Sequence, residues 1–236
     1  MYWDQLTYQQ IDELDRNLPV VLPVAATEQH GPHLPLATDR MIGEHFARAL
    51  HEALPDQVLI LPVVSVGCSE HHMDFTGTLT LRHDTFIRQV GDLCRSVARH
   101  GFRRLLLLNS HGGNQGAGQV ALEEFGVRHP HVRIAFASWW RIGTEALTRL
   151  SETPPGGTGH AGEFETSLML LIAPKLVHRD RIEDRANIET FDWAEGDLIR
   201  GPKAGLYRPF RQITTNGAMG NPAAGSVEKG KKITEA

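Results

Sequence analysis

Apolar and polar positions alternate along the chain in a way that predicts strands and helices in succession. Short apolar runs bounded by turn residues predict four buried strands, over 20–25, 58–66, 103–108 and 132–137. Apolar residues at helical spacing predict helices over 7–17, 40–53, 84–100, 115–128 and 164–172. This alternation indicates an α/β fold with a mainly parallel sheet and helices on both faces.

Capping residues, glycine and proline indicate where these helices and strands begin and end. Thr7 is a plausible N-cap, Gly101 ends a helix, and Pro62 interrupts the second strand. Periodicity is weak over 177–225. Residues 226–236 resemble the beginning of a helix that the chain leaves uncapped, which leaves truncation and an unusual terminus as alternatives. Because no linker or internal repeat is visible, we expect one domain over 1–236.

Charge and composition limit the kinds of partner that the protein can have. With 24 basic and 28 acidic residues, the net charge of −4 offers no general attraction to nucleic acid. The two cysteines are too few for a disulfide framework, the start lacks an export signal, and no apolar run approaches the ~18 residues of a membrane span. We therefore expect a soluble cytoplasmic protein without a membrane or nucleic-acid partner. The expectation of a small-molecule substrate rests on the motifs described below.

The first polar cluster follows the strand at 20–25 and contains Glu28, His30, His33 and Asp39. In extended backbone, Glu28 and His30 point the same way with Cα atoms about 7 Å apart. That spacing suits ligands of two neighbouring metal ions, which Asp39 could bridge. The alternative is that Asp39 caps the next helix and His30 is a surface residue. We interpret the cluster as half of a metal site.

The second polar cluster, 109–114, leaves the strongly apolar strand at 103–108. Its His111 precedes two glycines, and the glycine spacing fits neither dinucleotide-binding nor P-loop patterns. In parallel sheets, ligands sit beyond the carboxyl ends of the strands, where both clusters begin. A histidine presented at this edge is a good candidate for a ligand.

A third cluster, His160 with Glu163 and Glu165, leads from a Gly/Pro loop into a helix. Acids in a first helical turn are favoured by the helix dipole, which is the alternative to a role as metal ligand or general acid/base. Glu70, His71 and His72 form a dense polar group of which at most two can face one site. Cys68 is better read as an inert buried thiol than as a nucleophile.

Four motifs in the same order resemble the creatininase (creatinine amidohydrolase) family. They lie at 27–39, 67–79, 109–114 and 159–167, and the first, Thr-Glu-Gln-His-Gly-Pro-His-Leu-Pro-Leu, is highly specific. The resemblance implies a three-layer α/β/α fold, two divalent ions (zinc, manganese or iron) and a homo-oligomer, often a hexamer. It makes His160 a proton-transfer group and assigns four metal ligands, Glu28, His30, Asp39 and His111, with Asp39 bridging.

One departure from the family pattern concerns the second motif. Creatininase itself carries a metal-ligating glutamate where this chain has Gly113. Glu165, or failing that Glu163, is then expected to complete the second metal site. The change also counts against creatinine as substrate, and the wider family includes deformylases, a peptidase and hydrolases of cyclic ketones.

These observations lead to one function hypothesis with rivals. We expect a metal-dependent amidohydrolase that cleaves a C–N bond other than a peptide bond, in a small amide that can be cyclic. A deformylase or a cyclic-ketone C–C hydrolase of the same family is the alternative among enzymes. A non-catalytic protein that binds metal or a small ligand is the alternative from another class.

Overall fold

The computed structural model describes residues 1–183 and 191–236. These form two compact units that alternate along the chain. The first unit comprises 1–26, 43–68 and 81–139, and the second comprises 27–42, 69–80 and the described residues after 139. The expectation of one domain over 1–236 stays a prediction.

Helices and strands fall close to the positions that the sequence predicts. The strands are β1 (Pro19–Val24), β2 (Leu59–Ile60), β3 (Arg104–Asn109) and β4 (Arg133–Ser138). The helices described are α1 (Tyr8–Asp12), α2 (Thr38–Ala53), α3 (His83–Arg99), α4 (Asn114–Arg128), α5 (Trp139–Ile142), α6 (Thr144–Leu150), α7 (Glu163–Ile172), α8 (Phe210–Ile213) and α9 (Val227–Glu235).

The four strands belong to the first unit and form a parallel sheet in the order β2-β1-β3-β4. The register pairs Val24 with Asn109 and Asn109 with Ser138. Strands β1, β3 and β4 therefore end at one edge of the sheet. In a parallel sheet this carboxyl edge is where ligands bind.

Alternating side chains of the strands give the first unit its three layers. Val20, Leu22 and Val24 pack with apolar residues of α3 and α4 on one face of the sheet. Val21 packs on the opposite face with Ala47, from the part of α2 that belongs to this unit. The α/β class, with helices on both faces of a parallel sheet, is confirmed.

Two predicted elements are shorter than expected. The run at 58–66 forms a strand only at Leu59–Ile60, because Pro62 has no N–H for a sheet ladder, although Val64 makes a bridge to Val24. Helix α1 has the predicted Thr7 N-cap but ends at Asp12. The guanidinium of Arg16 donates to the carbonyl oxygens of Ile11 and Leu14, which satisfies groups at this helix end.

In the second unit, α7 packs against α9, and Ser226 is the N-cap of α9 through a hydrogen bond from the N–H of Lys229. The weakly patterned stretch at 177–225 holds the short helix α8, and its residues 184–190 lie outside the described part of the chain. Among the described residues, we found no helix with the length and hydropathy needed to cross a membrane.

Candidate metal centre and active site

His30 lies at the centre of a buried group of carboxylates in the second unit. Its Nδ1 is 3.1 Å from the carbonyl oxygen of Glu28, and its Nε2 is 3.1 Å from Oδ1 of Asp39 and 3.8 Å from Oε2 of Glu165. Nδ1–H donates to the carbonyl, so in the neutral ring that a bound cation would require, the lone pair of Nε2 faces the carboxylates. Metal-ligating histidines usually have such a backbone partner on the other ring nitrogen.

Asp39 and Glu165 are both held in the first turns of helices. Asp39 is buried within α2 rather than at its N-cap. Glu165, in α7, accepts a hydrogen bond of 2.6 Å from the N–H of Ala161. Ala161 has a φ of +55°, a conformation that costs energy for any residue except glycine. Strained backbone of this kind is concentrated at functional sites, and here it aims an N–H at a carboxylate.

The electrostatics of this group show an excess of buried negative charge. Burial is the largest influence on the pKa of His30 and lowers it, but Asp39, Glu165 and Glu28 together raise that pKa to about 9. Burial, helped by Asp39 and Glu28 and opposed by His30, raises the pKa of Glu165 to about 7. A bound cation would relieve this repulsion, so the residues fit a metal centre.

Two further histidines face Glu28. His72 Nε2 is 3.2 Å, and His160 Nδ1 is 3.6 Å, from Oε1 of Glu28. The ring of Phe210, on α8, lies against both, with centroid distances of 3.9 Å to His72 and 4.9 Å to His160. An apolar ring at this place restricts how the imidazoles can turn and how water reaches them.

The loop that carries His160 is fixed by backbone contacts. The N–H of Met219 donates to the carbonyl of His160 at 2.7 Å, and the N–H of Asn221 donates to the carbonyl of Gly157 at 2.8 Å. A Cβ atom at Gly159 would clash with the carbonyl oxygen of Met219. Glycine is therefore required where these two segments meet, next to the predicted catalytic histidine.

Glu163 and Glu165 have different surroundings, although both begin α7. The carboxylate of Glu163 accepts hydrogen bonds from Thr153, from the N–H of Glu152 and from Lys229, at 2.5 to 2.9 Å. These contacts account for both of its oxygens. Glu165 instead lies beside His30. The geometry therefore favours Glu165 of the two acids as a ligand.

His111 belongs to the first unit, just beyond β3, and is buried. Its Nε2 donates to the carbonyl oxygen of Cys68 at 3.0 Å, which makes Nδ1 the nitrogen with the lone pair when the ring is neutral. Asn109 and Asn114 pin the turn through hydrogen bonds to the backbone of His111 and Cys68. Gly113 has an ordinary helical φ of −65°, so the backbone there does not itself require glycine.

Within the second unit the structure therefore gathers the predicted residues Glu28, His30, Asp39, His160 and Glu165. Two sets of three side chains there have ligand atoms within 4.8 Å of one another: Glu28, His72 and His160, and His30, His160 and Glu165. Imidazole and carboxylate donors of this kind suit zinc, manganese and iron. The predicted ligand set omits His72, and its only sequence signal is its place in the polar group at 70–72.

Comparisons with known proteins match nearly the whole chain to one enzyme family. A family model described as creatininase, creatinine amidohydrolase, matches residues 4–236. The "Mycofactocin precursor peptide peptidase" of Mycobacterium tuberculosis (strain CDC 1551 / Oshkosh) is 32% identical over 227 residues, which are 91% of this chain and 79% of that protein. The "Creatinine amidohydrolase" of Pseudomonas putida is 30% identical over 235 residues, 92% of this chain and 84% of that protein.

Solved structures of that family superpose on 99% of this chain. A structure titled "Creatininase Mn" superposes with a TM-score of 0.80 at 27% identity, covering 99% of this chain and 93% of that one. A zinc–zinc form of a creatininase variant gives 0.77 at 28% identity, with 99% and 92% covered. The chain belongs to the creatininase family and is an amidohydrolase, an enzyme of the class that cleaves carbon–nitrogen bonds.

Proposed function

We propose that this enzyme is metal-dependent and cleaves the C–N bond of a small amide, cyclic or linear, with an activated water. The observation that carries the proposal is the buried imidazole of His30 among the carboxylates of Asp39 and Glu165. Two divalent ions, zinc, manganese or iron, would supply a Lewis acid for the carbonyl and a water of lowered pKa. Solved creatininases named for manganese and for a zinc pair support the first two of these three metals.

The proposed ligands are Glu28, His30, Asp39, His111 and Glu165, with Asp39 shared by both ions. For His30, the support is the lone pair of Nε2, which its backbone partner turns toward the carboxylates. For Glu165, the support is its place beside His30 and the occupied carboxylate of Glu163. His111 rests on the family resemblance and on the carbonyl of Cys68, which leaves Nδ1 as its ligand atom.

His160 is the proposed catalytic residue. Its Nδ1 faces the carboxylate of Glu28, and its backbone is held by Met219. A positioned imidazole of this kind can take a proton during attack on the carbonyl and pass it to the leaving nitrogen. Phe210 beside it would limit access of bulk water during that transfer.

A peptide is the second candidate substrate. The observation that favours it is the 32% identity to a relative named as a peptide peptidase. Gly113, in place of the glutamate of creatininase itself, counts against creatinine. Deformylation, C–C cleavage of a cyclic ketone and metal binding without catalysis are the remaining alternatives. A homo-oligomer, a hexamer by resemblance, and a place in the cytoplasm belong to the same proposal.

The test is a substrate panel with controlled metal content. The protein is stripped with a chelator, reloaded separately with zinc, manganese or ferrous iron, and assayed against cyclic amides, formamides, cyclic ketones and short peptides. We expect amide cleavage only after reloading, and a His160→Asn variant that keeps its metal but loses about 100-fold or more in kcat. Undiminished cleavage in the stripped protein would refute metal dependence. Metal-loaded protein inert on the whole panel would favour the binding protein.

A further inference from the structure

We propose that Gln29 fixes the proton positions on His72 and His160. His72 is thereby a hydrogen-bond donor that positions Glu28 rather than a metal ligand, and His160 reacts through Nδ1. The catalytic part of this inference rests on the proposed function, whereas the proton positions do not. Gln29 is buried between two of the proposed ligands, Glu28 and His30.

The orientation of the Gln29 amide is set by two backbone groups. The N–H of Gly31 can only donate, and it lies 2.9 Å from Oε1 of Gln29. The carbonyl of Gly217 can only accept, and it lies 3.0 Å from Nε2. An amide rotated by 180° would place donor against donor and acceptor against acceptor, so Nε2 is the nitrogen.

This orientation determines the tautomer of His72. Nε2 of Gln29 lies 2.8 Å from Nδ1 of His72, which must therefore accept the hydrogen bond. A neutral imidazole that accepts at Nδ1 carries its hydrogen on Nε2. That nitrogen lies 3.2 Å from Oε1 of Glu28 and donates to it. A ring nitrogen that carries a hydrogen has no lone pair for a metal, so His72 is a poor ligand although it lies among possible ligands.

The backbone of Gln29 determines the tautomer of His160 in the same way. Nε2 of His160 lies 2.7 Å from the carbonyl oxygen of Gln29, a distance that requires a hydrogen on the ring nitrogen. Nε2 of Gln29 also lies 3.3 Å from Nε2 of His160. The two amide hydrogens of Gln29 are nevertheless used by its shorter contacts, at 2.8 Å to His72 and 3.0 Å to the carbonyl of Gly217, so Nε2 of His160 keeps its own hydrogen. Nδ1 of His160 is then the proton-accepting atom, on the side of the ring that faces Glu28.

The backbone around the Gln29 amide leaves room for it. Gly217 has a φ of +90°, and a Cβ atom there would clash with Oε1 of Gln29. The N–H of Gln29 donates to Oγ1 of Thr78 at 3.1 Å. Residues from three segments of the second unit thus converge on one side chain that touches neither substrate nor metal in the proposed scheme. Gln29 and His72 are positioning residues, and only His160 is catalytic.

Neutron diffraction of deuterated, zinc-loaded wild-type crystals at neutral pH tests the proton positions directly. We expect deuterium on Nε2 of both His72 and His160 and none on Nδ1 of either. Deuterium on Nδ1 of His72, or zinc at bonding distance from His72, would overturn the proposal. This measurement needs no substrate, so it stands even if the proposed reaction is wrong.

Variants separate positioning from metal binding. Gln29→Met keeps the length of the side chain but removes its donors, and we expect kcat to fall about 10- to 100-fold with unchanged metal content and a KM within about threefold. Gln119→Met, on the exposed face of α4, is the matched control and should match wild type. A Gln29→Met enzyme with wild-type kcat would contradict the proposal.

His72 has its own pair of variants. The substitution His72→Gln retains an N–H donor near Glu28, whereas His72→Leu removes it. We expect His72→Gln to keep its metal and to retain at least about tenfold more activity than His72→Leu. Loss of one metal equivalent in both variants would identify His72 as a ligand and overturn the proposal. Metal content is measured without any assay, so a failed substrate screen leaves this test intact.

Discussion

Lys229 Nζ lies 2.5 Å from Oε1 of Glu163, and this ion pair joins α9 to the first turn of α7. Both side chains are buried, with 5% and 0% of their surface exposed. Lys229 also donates to the carbonyl oxygen of Ala224 at 2.8 Å. Because α7 carries Glu165 two residues later, the pair supports the helix turn on which the proposed metal centre depends.

Removal of either side chain of this ion pair should therefore lower the stability of the folded protein. We expect Lys229→Met to lower the free energy of unfolding by about 3–5 kcal/mol, because Glu163 would remain as a buried, uncompensated charge. Urea denaturation of the purified protein measures it. The matched control is Lys231→Met, whose exposed pair with Glu228 should contribute about 0.5 kcal/mol or less. Equal losses in the two variants would contradict a structural role for the buried pair.

The two acids of α7 give a second prediction. Glu165→Gln should weaken metal binding by at least about tenfold while changing stability little, because it removes a proposed ligand. Glu163→Gln should do the reverse, because its carboxylate contacts Lys229 and Thr153 rather than His30. Metal titration and urea denaturation of both variants provide the comparison. If Glu163→Gln lost metal and Glu165→Gln did not, Glu163 would be the ligand and the prediction would be wrong.

Close backbone packing at Gly159 gives a third prediction. Gly159→Ala should destabilise the protein by about 2 kcal/mol or more and reduce activity, because its Cβ atom clashes with Met219 beside His160. In contrast, Gly116→Ala in α4 should stabilise it by about 0.5–1 kcal/mol, since a Cβ there meets no heavy atom of the described residues within 4 Å, apart from its chain neighbours and the backbone of its own helix. Thermal unfolding measures the stability of both variants. A Gly159→Ala protein as stable as wild type would refute the packing argument.

His33 gives a prediction for the pH dependence of stability. Burial, followed by the charge of His30 and opposed by the backbone of Ala161, lowers the pKa of His33 from 6.5 to about 4. The unfolded chain therefore binds more protons between these values, so the contribution of His33 is complete above pH 6.5 and is lost as the pH falls toward 4.

The comparison variant is His33→Gln, which keeps a group that can bond to Oγ1 of Thr166. Urea denaturation in the presence of a chelator should show a steeper rise of stability with pH for wild type, by up to about 1.4 kcal/mol per pH unit between pH 4 and 6.5. Parallel curves for the two proteins would show that His33 does not titrate in this way.

Much of the fold could be predicted because apolar runs and helical spacing are local properties of the sequence. The strands β1, β3 and β4 lie within about one residue of their predicted limits. The predicted strand at 58–66 continues past Pro62, whereas a sheet ladder requires the N–H that proline lacks, so β2 is shorter than predicted. The early end of α1 depends on Arg16 and on the carbonyl groups that it reaches, which no periodicity reveals.

Residue type and the family motifs mark Glu28, His30, Asp39 and His111 as proposed ligands, and this role stays a prediction. The sequence analysis prefers Glu165 to Glu163, but the physical reason for that choice was not predictable, because it depends on Lys229, which lies 66 residues farther along the chain. Gln29 was overlooked for a similar reason. Its partners His72 and Gly217 are distant in sequence, and an amide carries no signal of its own for catalysis.

We propose above that Asp39 would be shared by two divalent ions. The most direct measurement is the metal content per chain of wild type and of Asp39→Asn, determined by elemental analysis after dialysis against each metal. We expect about two equivalents in wild type, with loss of at least one equivalent and of amide hydrolysis in Asp39→Asn. Equal metal content in the two proteins, with hydrolysis undiminished in the variant, would contradict it.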